Sequence, residues 1–440
     1  MKPMKKKFSA MMLSATMIAG LLAGCSGGAV NGSSEGSSAS NQPTPAEQTG
    51  KTTIQFWHSL GGKNGEFISA MIKRFNDSQD KIEVVGTFQG SYADTVTKLQ
   101  QAIAADSGPD VAMVERAFVQ MFADAEVLED LAPYMEKSQL SKDDFPQGLM
   151  GHSIFNDKLV SLPFNRSTPI MHVNKTMLDE KGLSIPKTWE ELKKTSEALV
   201  IKDNGEVKRY GFSMPYDTWY PIAMITQAKG KFFNEEGTSI GFTNGEGVKT
   251  FQFLKDMQGT GALYYPPAQD SNNIVNQMFT SGKVGIIFES TGVMGGIKKN
   301  ANFEYVTAFL PQDQVYATPT GGANIAMLSG SKQKEAAWEF MNWVMTDPNG
   351  GLQFVLDTGY LPFTKKMTES DKMKELWAND PNRKVAYDQL QYAVDTNKHV
   401  AWPQVMQEFF KAMQAIMYDN ANIESTLETF KTETERILKQ

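Results

Sequence analysis

Four histidines, at positions 58, 152, 172 and 399, are the side chains best suited to moving a proton near neutral pH. No two of them stand at a metal-binding spacing such as HExxH. The single cysteine, Cys25, excludes disulfides and cysteine-ligated metals. There is no Walker loop and no zinc motif. Any two of the 50 acidic residues could converge as a glycosidase pair, but nothing in the pattern selects two of them. The most unusual corner is "FWHSLGG" (residues 56–62), where Trp57, His58 and Ser59 end a hydrophobic strand and two glycines precede a helix. Such a corner can hold an anion, catalyse or turn the chain. Without a partner histidine at useful spacing, His58 reads as a packed, hydrogen-bonded side chain and the corner as scaffold.

The flanking elements alternate. Ile54 and Phe56 begin a strand, and Phe67, Ile68, Met71, Ile72 and Phe75 recur at helical spacing. "KIEVVGTF" is a second strand, Val96, Leu99 and Ile103 mark a helix that Gly108-Pro109 breaks, and "DVAMVE" is a strand ending at Glu115. Further on, "DKLVSLPFN" and "PIMHVNK" are extended, and Thr188-Trp189-Glu190-Glu191 predicts a capping box. "IKDNGEVKRYGFS" carries an Asn-Gly hairpin signal, and "GKVGIIFES" reads as a buried strand. "KEAAWEFMNWVMTDP" is a helix stopped by Pro348, and helical patterns near 403–418 and 422–438 close the chain. Strands alternating with helices predict an α/β fold with a parallel or mixed sheet, the length beyond residue 50 suggests two or three lobes, and two α/β lobes fit the pattern.

The ends bound the compartment. Lys2, Lys5, Lys6 and Lys7 precede an apolar stretch from Phe8 to Gly24, as in a secretory signal peptide. The stretch ends in Leu22-Ala23-Gly24-Cys25, which resembles the bacterial lipobox and marks Cys25 as the lipidation site of residues 1–25. Residues 26–50 hold almost no large apolar side chains and read as a flexible tether. Beyond residue 25 there are 39 basic and 50 acidic residues, a net charge of −11, with no basic cluster suited to nucleic acid. The expected protein is exported and monomeric, and it meets the membrane only through a lipid anchor.

"DKLVSLPFNRSTPIMHVNKTMLDEKGLSIPKTWEEL" resembles the segment by which extracellular solute-binding proteins of the maltose-binding type cross from one lobe to the other. "FWHS", "PFNRSTPI", "GGA" and "TGYLP" are similar to the glycerol-3-phosphate-binding branch, and the resemblance covers most of residues 52–440. It implies a two-lobed periplasmic-binding-protein-like fold with hinge crossings and a ligand cleft. The implied N-lobe is residues 51–165 and 291–345, and the C-lobe residues 166–290 and 346–440. It also implies the substrate-binding component of an ABC importer, which delivers a small solute to permease subunits with no cofactor and no catalysis.

Carried over position by position, the resemblance implies Tyr92, Glu115, Ser167, Trp219, Ser290, Gly322 and Tyr360 as ligand contacts. Where the family has an arginine shortly before a Pro-Gln pair, "TNKHVAWPQ" offers Lys398 or His399. An ionised Glu115 would accept from hydroxyls, and Trp219 would cover a carbon face. Ser290, the Gly322 amide and Tyr360 would donate to a phosphate. Lysine is a point charge where arginine is a planar fork, so Lys398 would neutralise a phosphate without selecting its geometry. A phosphomonoester, a phosphodiester and an uncharged sugar all remain open.

Overall fold

The computed structural model describes residues 50–242 and 245–439. Residues 1–25, Cys25 among them, and the tether as far as residue 49 lie outside the described residues.

The alternating side chains of β1 (Thr52–His58) turn Ile54, Phe56 and His58 inward. The helix Gly62–Ser78 then lays Ile68, Met71, Ile72 and Phe75 on the same core. In the first sheet β1 pairs in parallel with β2 (Ile82–Phe88) and with β3 (Val111–Glu115). The chain then supplies β4 (Leu162–Ser167), β5 (Pro169–Asn174), β6 (Glu206–Ser213), β7 (Leu263–Tyr264), β8 (Val284–Ser290), β9 (Tyr305–Ala308) and β10 (Gly321–Met327). Strand β10 lies antiparallel between β3 and β4, so the first sheet has the order β2-β1-β3-β10-β4. The second has the order β7-β6-β8-β5-β9, with β6 parallel to β7 and β8, and β5 antiparallel to β8 and β9. Both sheets are mixed, and helices cover them, giving two α/β lobes with separate apolar cores.

Local chemistry explains several boundaries. Ser91 and Asp94 form a reciprocal capping box that starts the helix Tyr92–Ala104. Asn204 and Gly205 both take positive φ, as the tight hairpin Ile201–Ser213 requires. Thr188 caps its helix by accepting from the Glu191 amide, but the Glu191 carboxylate accepts from the Lys187 amide instead of closing a box on Thr188. His58 is packed between Phe56 and Phe88, beside the Leu60 backbone.

The lobe limits differ from those expected. Strand β9, inside the stretch 291–345, pairs with β5 in the second sheet. Leu352, Phe354, Leu361, Phe363, Met367 and Met373, inside 346–440, pack into the core of the first. The reason is topological. The chain crosses at Ser167–Pro169, sends Met294 back against the first core, returns near Thr318–Gly321 to form β10, and crosses again before Trp402 joins the second core.

At the first two crossings sits Arg166, with 1% of its surface exposed. Its Nε donates to the Gly321 carbonyl at 2.9 Å, Nη1 to the Leu149 carbonyl and the Asn324 Oδ1, both at 2.9 Å, and Nη2 to Thr320 Oγ1 at 2.5 Å. Burial lowers its pKa to about 9, which still leaves the guanidinium charged at neutral pH. Next to it, Gly322 has φ +81°, and a Cβ there would stand 2.0 Å from the Asn165 carbonyl oxygen. Glycine is required on both counts. Replacing Arg166 with Met orphans those acceptors and should lower unfolding free energy by about 3 kcal/mol or more, read by urea denaturation. A loss below about 1 kcal/mol would show that the crossing does not depend on it.

Candidate functional site

The open ends of β3, β4, β8 and β10 and the start of the helix Trp219–Gln227 border a cavity of about 510 Å³. Strand ends suit such a place, because a strand that stops there turns its last side chains toward the gap while its backbone stays paired behind them. Seven residues expected from the sequence line this cavity: Tyr92, Glu115, Ser167, Trp219, Ser290, Gly322 and Tyr360. Lys398 does not line it. Its ammonium lies 4.8 Å from the ring centroid of Phe155, a cation–π contact within the fold. His399 is also committed elsewhere, with Nδ1 accepting from the Ala401 amide at 3.0 Å and its ring against Phe233. In this stretch it is Asn397 and Trp402 that reach the cavity.

The polar groups are held in place. Tyr92 Oη accepts from Asn165 Nδ2 at 2.7 Å, and Tyr360 Oη accepts from Asn64 Nδ2 at 3.4 Å. Burial raises both phenol pKa values, so both hydroxyls remain protonated. Ser290 Oγ accepts from the Gly292 amide at 3.1 Å. Trp219 comes from the second lobe and lies against the backbone of Gly321, where a Cβ would stand 2.5 Å from the indole ring. Its Nε1–H is buried without a partner. Glu115 Oε2 accepts from the Ala117 amide at 2.9 Å.

Sequence reasoning missed several lining residues, most notably Arg116, Asp217 and Glu289. Each is adjacent to, or two positions from, a residue it did name, and that proximity was the available signal. Arg116 is 3% exposed. Its Nη2 donates to Asn397 Oδ1 at 3.3 Å, Nη1 stands 3.2 Å from His152 Nε2, and Nε lies 4.0 Å from Glu115 Oε1. Asp217 Oδ1 accepts from the Trp219 amide at 2.8 Å. Glu289 Oε1 accepts from Tyr220 Oη at 2.9 Å and from the Ser290 amide at 2.6 Å, and Oε2 accepts from Asn276 Nδ2 at 3.3 Å. Burial raises the pKa of all three carboxyls, with Arg116 opposing the rise at Glu115 and at Asp217. Glu289 reaches about 7.

The cavity thus offers hydroxyls, carboxylates and aromatic faces, without an activated nucleophile. Among the described residues no group of three or more His, Cys, Asp or Glu side chains is arranged to hold a metal. No described helix is long and apolar enough to cross a membrane. Residues 70–384 match the family model described as bacterial extracellular solute-binding protein. The chain belongs to that family.

It is 27% identical over 392 residues to the sn-glycerol-3-phosphate-binding periplasmic protein UgpB of Agrobacterium fabrum, covering 83% of this chain and 88% of the relative. Two solved structures share the fold at a TM-score of 0.79. One is UgpB of Mycobacterium tuberculosis in complex with glycerophosphocholine, 23% identical over 89% of this chain and 99% of the other. The second is the GacH receptor of Streptomyces glaucescens, 19% identical with the same coverage. The two-lobed fold of the solute-binding proteins is therefore established for this chain, and its task is binding rather than catalysis.

The raised Glu289 pKa has a consequence for stability. Between its unfolded value of 4.5 and its folded value of about 7, the folded state holds a proton that the unfolded state has released. Its contribution is complete below pH 4.5 and is lost as pH rises through about 7. Glu289→Gln should remove up to about 3 kcal/mol of that slope, measured as the difference between wild-type and variant urea unfolding at pH 5 and pH 8. Parallel curves for the two proteins would contradict the assignment.

Proposed function

We propose that this protein is the substrate-binding component of an ABC importer and captures a small polar solute, sn-glycerol 3-phosphate or a glycerophosphodiester, for delivery to a membrane permease. The observation that carries the reading is the convergence of Tyr92, Glu115, Ser167, Trp219, Ser290, Gly322 and Tyr360, distant in sequence, on one cavity between the lobes. The UgpB relatives support the solute class. In this reading Glu115 accepts from hydroxyls, Trp219 covers the carbon face, and Ser290, the Gly322 amide and Tyr360 serve the phosphate. The lobes close over the solute by hinge motion about the crossings.

A second reading, an oligosaccharide as solute, is favoured by a specific feature: the lining combines Trp219, Tyr220, Trp402 and Phe410 with carboxylates. Aromatic faces and hydroxyl acceptors together suit a sugar ring.

We further propose that Cys25 carries a lipid that holds the protein at the outer face of the cell membrane as a monomer. Cys25→Ala should then release it from the membrane fraction, and continued retention would count against the anchor. Isothermal titration with glycerol 3-phosphate, glycerophosphocholine and maltose should give saturable binding of at least one solute, with no product formed. Trp219→Ala should weaken that binding at least about tenfold. Turnover, or no heat with any of the three, would overturn the assignment.

A further inference from the structure

The charges that face the cavity are three carboxyls, Glu115, Asp217 and Glu289, and one guanidinium, Arg116. Lysine and histidine are absent from the lining, and the expected cation at 398 or 399 is spent elsewhere. Arg116 has its two terminal nitrogens engaged, and only its Nε–H lacks a hydrogen-bond partner. Its two terminal nitrogens face His152 and Asn397, its Nε is buried 4.0 Å from Glu115, and the side chain cannot swing out of a site in which it is 3% exposed. Of the carboxyls that face it, Glu115 is the nearest and acts on it most strongly, ahead of Asp395 and Asp217.

Among the described residues neither Asp217 nor Glu289 is in salt-bridge contact with a cation, and Arg116 acts on Asp217 only at longer range. Asp217 spends one oxygen on the Trp219 amide, and Glu289 relies on Tyr220, Ser290 and Asn276, all neutral donors. Both stand among the aromatic rings of the second lobe, where a carboxylate and a π face attract positive charge together. Bringing a phosphate dianion into this low-dielectric space adds like charge to like, at a cost larger than in water.

We infer that Asp217 and Glu289 are specificity-determining residues that restrict the cavity to solutes without net negative charge, such as a zwitterionic phosphodiester or an uncharged polyol, and discriminate against a phosphomonoester. This rests on the solute-binding reading above and narrows it. A diester brings one negative charge where a monoester brings about two near neutral pH. A cationic substituent on the diester offsets that charge and matches the two carboxyls. A neutral polyol offers them hydroxyl donors.

The test is a comparison of affinities at pH 8, by titration calorimetry, for glycerophosphocholine, glycerol 3-phosphate and maltose. Wild-type protein should bind the zwitterion or the sugar at least about tenfold more tightly than glycerol 3-phosphate. The near-isosteric variants Asp217→Asn and Glu289→Gln should each gain affinity for glycerol 3-phosphate, narrowing the ratio several-fold. A gain cannot arise from misfolding, so it separates charge selection from structural damage. Binding of maltose alone also supports the inference and selects the sugar reading. Equal or tighter binding of glycerol 3-phosphate, or variants that leave the ratio unchanged, would overturn the inference while leaving the protein a solute receptor. Binding of none of the three would instead overturn the receptor assignment.

Discussion

A guanidinium buried among carbonyl and side-chain oxygens has few acceptable positions, because every unmatched donor in such a place costs more than a bond returns. Arg166 occupies one of them. It ties β4, as the chain leaves the first sheet, to Thr320 and Gly321, as the chain returns, and to Leu149 beneath. Two passages far apart in sequence are thus held side by side, and the residues next to them in the chain are Ser167 and Gly322, both at the cavity. The register of β4 against β10, with Gly321 opposite Ser167 and Gly322 opposite Arg166, follows from the same arrangement. A shift by one residue would turn Arg166 out of its acceptors and Ser167 away from the gap.

From that fixed edge the site is built by contact across the lobes. Trp219 of the second lobe needs Gly321 of the first, since any side chain at 321 would collide with the indole. Tyr92 and Tyr360 are steadied by Asn165 and Asn64 from neighbouring elements. Carboxyls at the ends of β3 and β8 are held by backbone amides and, at Glu289, by a tyrosine hydroxyl, so they present fixed acceptors rather than mobile charges. In the proposed function such a site would recognise a solute by geometry already in place, which would limit the ordering cost of binding.

Much of this was legible from periodicity and turn chemistry. The inward faces of β1 and of the helix Gly62–Ser78, the hairpin at Asn204-Gly205 and the two closing helices followed from spacing and residue type. The lobe limits did not. Whether Tyr305–Ala308 pairs with β5 or with a strand of the first sheet is a long-range choice, and both options present the same alternating pattern locally. For the site, ordered family motifs located seven cavity residues, whereas Lys398, one residue beyond the cavity-lining Asn397, lies against Phe155 instead. Arg116, Asp217 and Glu289 went unnoticed because charged residues at strand ends and before helices usually face solvent, and only tertiary burial makes these three part of a cavity.

The central claim is that one cavity between two lobes, edged by β3, β4, β8 and β10, receives the solute. A crystal structure of the protein grown with saturating glycerophosphocholine or maltose tests it most directly. The account predicts solute density in contact with Glu115, Trp219, Ser290 and Tyr360 at once. Density bound at another surface, with those four side chains touching only one another or solvent, would contradict it.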